Sequence, residues 1–228
     1  MVGSRSIIET ILRPAHESDI RESMNSGPEL HNKLERSFYE RDARTVARGL
    51  LGKYLVYEPA GKRLAGKIVE TEAYLGVRDT ASHASRGRTR RTDVMFGEGG
   101  RLYMYFIYGL FWMMNVVTET EGRAGAVLLR ALEPVEGVEE MAANRRGKDR
   151  RLLASGPARL TCALGAGGSL NGVDLCGDSI WIEDRGERVT ASQIEATRRV
   201  GVAYAKEWKN RKLRFYLSGN DFVSRPRL

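Results

Sequence analysis

The chain has 228 residues, 42% of them hydrophobic, enough for one ordinary domain that buries its own core without disulfides or a structural metal. Lysine and arginine outnumber aspartate and glutamate by 37 to 29, a net charge of +8, which favours a polyanionic or otherwise acidic partner. Three histidines and two cysteines, Cys162 and Cys176 without CxxC spacing, all but exclude a zinc or iron–sulfur enzyme and a disulfide-stapled fold, and the thiols read as reduced.

Residues 1–30 mix charges with Pro14 and Pro28 and read as a mobile tail, leaving 31–228 as a single domain. In the tail, Glu9 and Arg13 interrupt Ile7, Ile8, Ile11 and Leu12, so no signal-peptide core forms. From Leu34 the pattern turns helical. Asp42 is a natural N-cap for ARTVARGLLG, with Val46, Leu50 and Leu51 at helical spacing and Gly52 as the stop. KYLVYEPAGKRLAGKIVETEAYLG predicts two strands joined around Pro59-Ala60-Gly61. In the second, Ile68, Glu70, Glu72 and Tyr74 share one face and Val69, Thr71 and Ala73 the other. A polar loop, SRGRTRRTD, follows.

The uncharged run Leu102 to Val117 falls short of the roughly 20 residues of a spanning helix, and it contains three tyrosines, Gly109 and Asn115. It reads as two buried strands that meet at Tyr108-Gly109, and the chain as a soluble protein. AGAVLLRALEP predicts a further buried strand ending at Pro134, where a helix with Val135, Val138, Met141 and Ala142 on its apolar side begins. SGPARLTCALG predicts a short helix between Ser155 and Gly165, and from Val173 short strands alternate with a helical piece around Lys206 to Asn210. The fold class is mixed α/β (α+β): a single domain around a mainly antiparallel sheet, with a β-hairpin and flanking helices.

Four features carry chemistry. Glu70 and Glu72 project from one face of a strand, roughly 7 Å apart; two carboxylates at that separation suit sugar-bond hydrolysis, or they simply face solvent. Arg86, Arg88, Arg90 and Arg91 alternate with small and hydroxyl residues, a pattern that lays donors along successive phosphates. Further basic clusters recur at 145–151 and 198–214. Tyr108, beside Gly109 at a hairpin tip, is an aromatic placed to act as a wedge in a base stack or to fold back on the core. Asn115 and Arg130, both in apolar strands, need partners.

GKIVETEAYLG, ASHASRGRTRRTDVMFG, LYMYFIYG…MN, AVLLRALEP, SGPARL and RRVGVAYAKEWKNRKLRFYLSG occur in this order over roughly residues 35 to 224. Together they make the chain resemble the alkyladenine (3-methyladenine) DNA glycosylases. That resemblance implies a monofunctional, cofactor-free and metal-free enzyme, monomeric, that hydrolyses the N-glycosidic bond of alkylated or deaminated purines in double-stranded DNA, in the cytoplasm with the nucleoid or in the nucleus. It assigns Glu72 as general base and Arg130 as the residue beside the catalytic water. Tyr74, His83 and Tyr105 wall the base pocket, Asn115 discriminates against guanine, and Tyr108 intercalates. Glu70 receives no catalytic role, and no lysine belongs to the set, so strand cleavage through a Schiff base is not expected. Alkylated purines are cationic, so tyrosine faces bind them better than neutral bases. The sequence departs from the family's pattern at Arg90, where proline is usual, and at Phe111 and Trp112. A non-catalytic nucleic-acid-binding module would have no need of Glu72, and a glycoside or nucleoside hydrolase would use Glu70 but not Tyr108.

Overall fold

The computed structural model describes residues 32–225, so the expected N-terminal tail lies outside the described residues. Among the described residues nine strands form one open sheet in which all pairings are antiparallel. They are β1 (Asn32–Lys33), β2 (Tyr54–Tyr57), β3 (Leu64–Leu75), β4 (Leu102–Ile107), β5 (Phe111–Thr118), β6 (Gly125–Glu136), β7 (Ile180–Asp184), β8 (Ile194–Arg198) and β9 (Lys212–Leu217). The main order is β1-β7-β2-β3-β6-β5-β4, and β9 joins β3 to β8. The helices are short: α1 (Arg36–Tyr39), α2 (Ala43–Gly49), α3 (Val138–Asn144), α4 (Arg150–Leu153) and α5 (Pro157–Leu164). This is the α+β class expected from the sequence. Among the described residues no helix is long and apolar enough to cross a membrane, and the uncharged run 102–117 is the β4–β5 hairpin.

Strand β3 organises the molecule. Along one edge it pairs with β6 throughout; along the other it pairs first with β2, at 64–67, and then with β9, at 70–72. The change of partner coincides with a break in the β3–β6 register around Val69. A bulge of this kind inserts one residue and re-aims the side chains after it. Ile68 therefore joins Val69 in the main core instead of sharing the face of Glu70, as strict alternation predicts. Thr71 and Ala73 stay on the core side, where the Thr71 hydroxyl donates to the Ala47 carbonyl of α2 at 2.9 Å. Helix α2 starts as the sequence indicates: the Asp42 carboxylate accepts from the Arg44 amide at 2.9 Å. Val46 and Ala47 then bury against the sheet.

Three boundaries differ from expectation. Strand β6 runs through Pro134 to Glu136, so Val135 is a strand residue packed with Val56, Ala65 and Trp181 rather than the start of a helix. Proline is tolerated there because the β3–β6 ladder is irregular at Ala65/Gly66, opposite it, and the missing N–H breaks no regular pair. Helix α5 is capped by Gly156, with Pro157 at its first turn, whereas Ser155 bridges to Ala131 beside β6. The β4–β5 hairpin is buried at its base but not at its tip, where Phe106, Tyr108 and Leu110 are exposed.

The turn from β6 into α3 depends on Gly137, whose φ is +65°. A Cβ there would press on Leu64 and lie 2.7 Å from the Arg63 carbonyl oxygen. Gly137→Ala is expected to cost about 2 kcal/mol or more, since it combines a left-handed backbone with a clash against main chain. Urea denaturation would measure this, and an unchanged midpoint would contradict the packing described.

Candidate active site

Beyond the bulge, Glu70 and Glu72 leave β3 on the side opposite Thr71, and both are fully buried. Neither faces solvent. Burial of two carboxylates is tolerable only with compensating charge and hydrogen bonds, and Arg130 of β6 supplies both at once. Its Nε donates to Glu70 Oε1 at 2.6 Å, while its Nη1 lies 3.2 Å from Glu72 Oε1. Glu70 is saturated by further partners: Arg214 Nε at 2.7 Å, the Ser224 amide at 2.7 Å and the Ser224 hydroxyl at 2.9 Å. Burial alone raises a carboxyl pKa, but here Arg130, Arg214 and Ser224 outweigh it and hold Glu70 below the usual range. Glu72 has a lighter shell. It accepts the Tyr74 hydroxyl on Oε2 at 2.8 Å and the Val200 amide on Oε1 at 2.7 Å.

These two carboxylates are thus unlike each other. Glu70 is an anchor for two arginines, and Glu72 lies behind the residues that border an open space. Arg130, Tyr74 and Val200, the three partners of Glu72, all line a cavity of about 480 Å³, within the range of small-ligand sites. His83, Tyr105, Asn115 and Tyr108 line the same cavity. Residues drawn from β3, β4, β5, β6 and the loops after β3 and β8 therefore meet at one place.

The walls are aromatic. The Tyr105 and His83 rings stand edge to face with centroids 4.5 Å apart, and His83 Nδ1 is 2.9 Å from the Tyr103 hydroxyl. Burial, followed by the nearby charges of Arg91 and Arg86, pushes His83 down to about 4, so its imidazole is neutral at pH 7. Burial and then the Glu72 charge push the Tyr74 phenol well above its ordinary value, so it remains a hydroxyl donor. Asn115 is buried with its amide nitrogen donating to the Tyr103 carbonyl at 3.0 Å.

The loop that carries His83 is fixed from below. Asp79 accepts the amides of Leu75 and Ala81 at 3.1 and 3.0 Å, and Arg199 clamps it, with Nη2 to Oδ1 at 2.9 Å. Arg199 also donates to the Ala73 carbonyl at 2.9 Å and lies 4.6 Å from the Tyr74 ring centroid. Ser82 caps the 3₁₀ turn His83–Arg86 by accepting from the Ala84 amide at 3.2 Å.

The arginine loop is exposed, but its members do different things. Arg88 is engaged with Asp93 at 2.6 Å. Arg86 and Arg90 lie at the surface. Arg91 turns to the cavity, where its guanidinium sits 5.5 Å from the Tyr105 ring centroid. In the basic cluster at 198–214, Arg199 and Arg214 are buried ion-pair partners, so they are not part of a DNA-facing surface. Arg214 was findable in principle, as the one charge between apolar neighbours in LRFYL. The amides of Val200 and Ser224 left no sequence signal, because main-chain donors have no residue identity.

At the hairpin tip, Tyr108 is 85% exposed with φ +55°, and Gly109 follows at +65°. Glycine takes this conformation freely, whereas an exposed aromatic residue in it is uncommon. Among the described residues no three His, Cys, Asp or Glu side chains converge in a way that could hold a metal ion.

The model of the methylpurine-DNA glycosylase (MPG) family matches residues 37–221, which take in strands β2 to β9 and every residue that lines this cavity. A relative from Carboxydothermus hydrogenoformans is 49% identical over 192 residues, covering 84% of this chain and 98% of its own. One from Legionella pneumophila is 45% identical over 193 residues, covering 85% and 98%. Both relatives are assigned as 3-methyladenine DNA glycosylases. The chain belongs to the methylpurine-DNA glycosylase family. Its chemistry is therefore hydrolysis of N-glycosyl bonds in DNA, in the service of repair.

Glu70→Gln removes the countercharge of Arg214 and half that of Arg130, so it is expected to cost about 3–5 kcal/mol near neutral pH. Because the folded-state pKa is depressed, the carboxylate's contribution is present above the unfolded value and is lost as pH falls through the folded one. The stability gap between wild type and Glu70→Gln should thus be widest above about pH 5 and shrink below about pH 4. A gap independent of pH, measured by urea denaturation from pH 7 to pH 3.5, would refute the ion-pair account.

Proposed function

We propose that the protein draws a damaged purine out of duplex DNA into the 480 Å³ cavity and that Glu72 activates the water that replaces the base. The observation that carries this reading is the unequal treatment of two neighbouring buried carboxylates. A carboxylate offers about four lone-pair sites. Tyr74, Val200 and Arg130 take three on Glu72, leaving one on Oε2 for a water. Glu70, by contrast, takes four donors, two of them arginine, and none of those arginine and serine groups is free to give way to a water without breaking the ion-pair cluster.

A base inside the stack is out of reach of any such group, so it must be extruded, and the gap costs a few kcal/mol unless it is filled. Tyr108 is positioned to fill it. In the pocket, Tyr74 and Tyr105 present ring faces, neutral His83 offers one donor and one acceptor, and Asn115 narrows the wall. As the bond between the sugar C1′ and purine N9 breaks, its electron pair leaves with the purine. The water oxygen bonds to C1′, and its proton passes to Glu72 and then to solvent. Arg130, with Nη1 3.2 Å from Glu72 Oε1, holds the carboxylate in place as it accepts that proton. The product is an abasic site, and no lysine lines the cavity to carry the reaction on to strand cleavage. Arg86 and Arg90 on the exposed loop are the groups for the phosphates, joined by Arg88 if it exchanges Asp93 for DNA.

Duplex DNA carrying hypoxanthine, ethenoadenine or a methylated purine, incubated with the protein and treated with hot alkali, should break at the lesion. Glu72→Gln should slow this by about 10²- to 10⁴-fold. Undiminished excision would remove Glu72 from the mechanism, whereas retention on DNA without breaks would point to a binding module. Tyr108→Ser should weaken lesion binding by about tenfold or more, since one aromatic–base stack is worth about 1–3 kcal/mol. Unchanged affinity would count against the wedge.

A further inference from the structure

The pocket lacks an acid. His83 is neutral and already bonded to Tyr103, and neither it nor a tyrosine can readily give a proton to a departing base. This matters unequally for the two kinds of damaged purine. A ring-methylated purine is cationic and departs as a neutral molecule, whereas a deaminated or etheno purine is neutral and departs with negative charge gathering on its ring.

Among the described cavity-lining residues two carry a full positive charge, Arg130 and Arg91. The charge of Arg130 is matched by Glu70 and Glu72. Arg91 takes part in none of the described ion pairs, and its guanidinium lies over Tyr105, the ring that would stack on the base. Building on the base-flipping reading above, we propose that Arg91 is the pocket's leaving-group cation. It stabilises the charge released on to a neutral purine, and it sets the preference between neutral and cationic lesions.

The physical argument concerns the ground state as much as the transition state. Bond cleavage moves about one negative charge on to the base in either case, so Arg91 helps the step from bound substrate equally. The difference lies in what enters. A cationic base is repelled by Arg91 on binding, and cleavage merely removes that repulsion. A neutral base pays no entry penalty, so the full attraction appears in kcat/KM. A cation that stays partly screened at a cavity mouth is worth of order tenfold. A phosphate contact would behave otherwise, because the backbone is the same whichever base is damaged.

The test is single-turnover excision at subsaturating enzyme on two matched duplexes, one carrying hypoxanthine and one 7-methylguanine, with binding to lesion-free duplex as the reference. Arg91→Gln should lower the hypoxanthine rate about tenfold and leave the 7-methylguanine rate unchanged or raised, so that their ratio falls about tenfold or more. Arg91→Lys, which keeps the charge, should retain most of the wild-type ratio. Equal losses on both substrates, accompanied by weaker binding to lesion-free duplex, would make Arg91 a backbone contact and overturn the proposal. A collapse of the ratio in Arg91→Lys equal to that in Arg91→Gln would overturn it as well, by showing that the planar guanidinium rather than its charge is at work. Wild-type protein that excises neither lesion would overturn both this proposal and the reading beneath it; an active wild type with equal losses overturns this one alone.

Discussion

One arginine holds two acids. Arg130 lies between Glu70 and Glu72, and without it the buried Glu72 would lose its described ion-pair partner while Glu70 would keep Arg214 alone. The cost of burying such a cluster is high, and well-packed apolar residues in its place would serve stability at least as well. Its presence therefore reflects the site rather than the core. Arg214 and Ser224 complete the arrangement by fixing Glu70, which in turn fixes the Nε side of Arg130 and leaves its Nη1 for Glu72.

The same economy divides the charge of the whole molecule. Residues 1–30 hold three arginines against five acidic residues, a net of −2, so the remainder carries +10. Within it, the buried arginines Arg130, Arg199 and Arg214 face the buried acids Glu70, Glu72, Asp79 and Glu183. The interior is close to neutral, and the basic excess lies on the outside, where a polyanion can meet it. The hairpin tip is exposed as well, with Tyr108 in the left-handed conformation.

Much of this was legible in the chain. Alternation marked β2 and β3, glycine marked the hairpin tip, and the motifs that resemble a glycosylase supplied Glu72, Tyr74, His83, Tyr105, Asn115 and Arg130, which the structure gathers at one cavity or at its edge. Where reading by pattern failed, the cause was local geometry that overrides period. The bulge near Val69 sends Ile68 to the core, and a ladder irregularity lets β6 pass through Pro134. Charge counting failed for a different reason. Arg199 and Arg214 look like surface residues in composition, and only their positions beside Asp79 and Glu70 reveal that they are interior. Arg91 was counted with its neighbours, and although it too is exposed, it is the member of that loop that borders the cavity.

The amide and hydroxyl that close the shell of Glu70 belong to Ser224, 154 positions later in the chain. At ordinary rates of synthesis those positions take roughly 8 to 30 s to make. A nascent chain on the ribosome thus has its strand with both acids long before it has the partners that set them in place. The shell of Glu70 closes only when the far end of the domain arrives, so a truncated product can carry most of the family's motifs and still lack it.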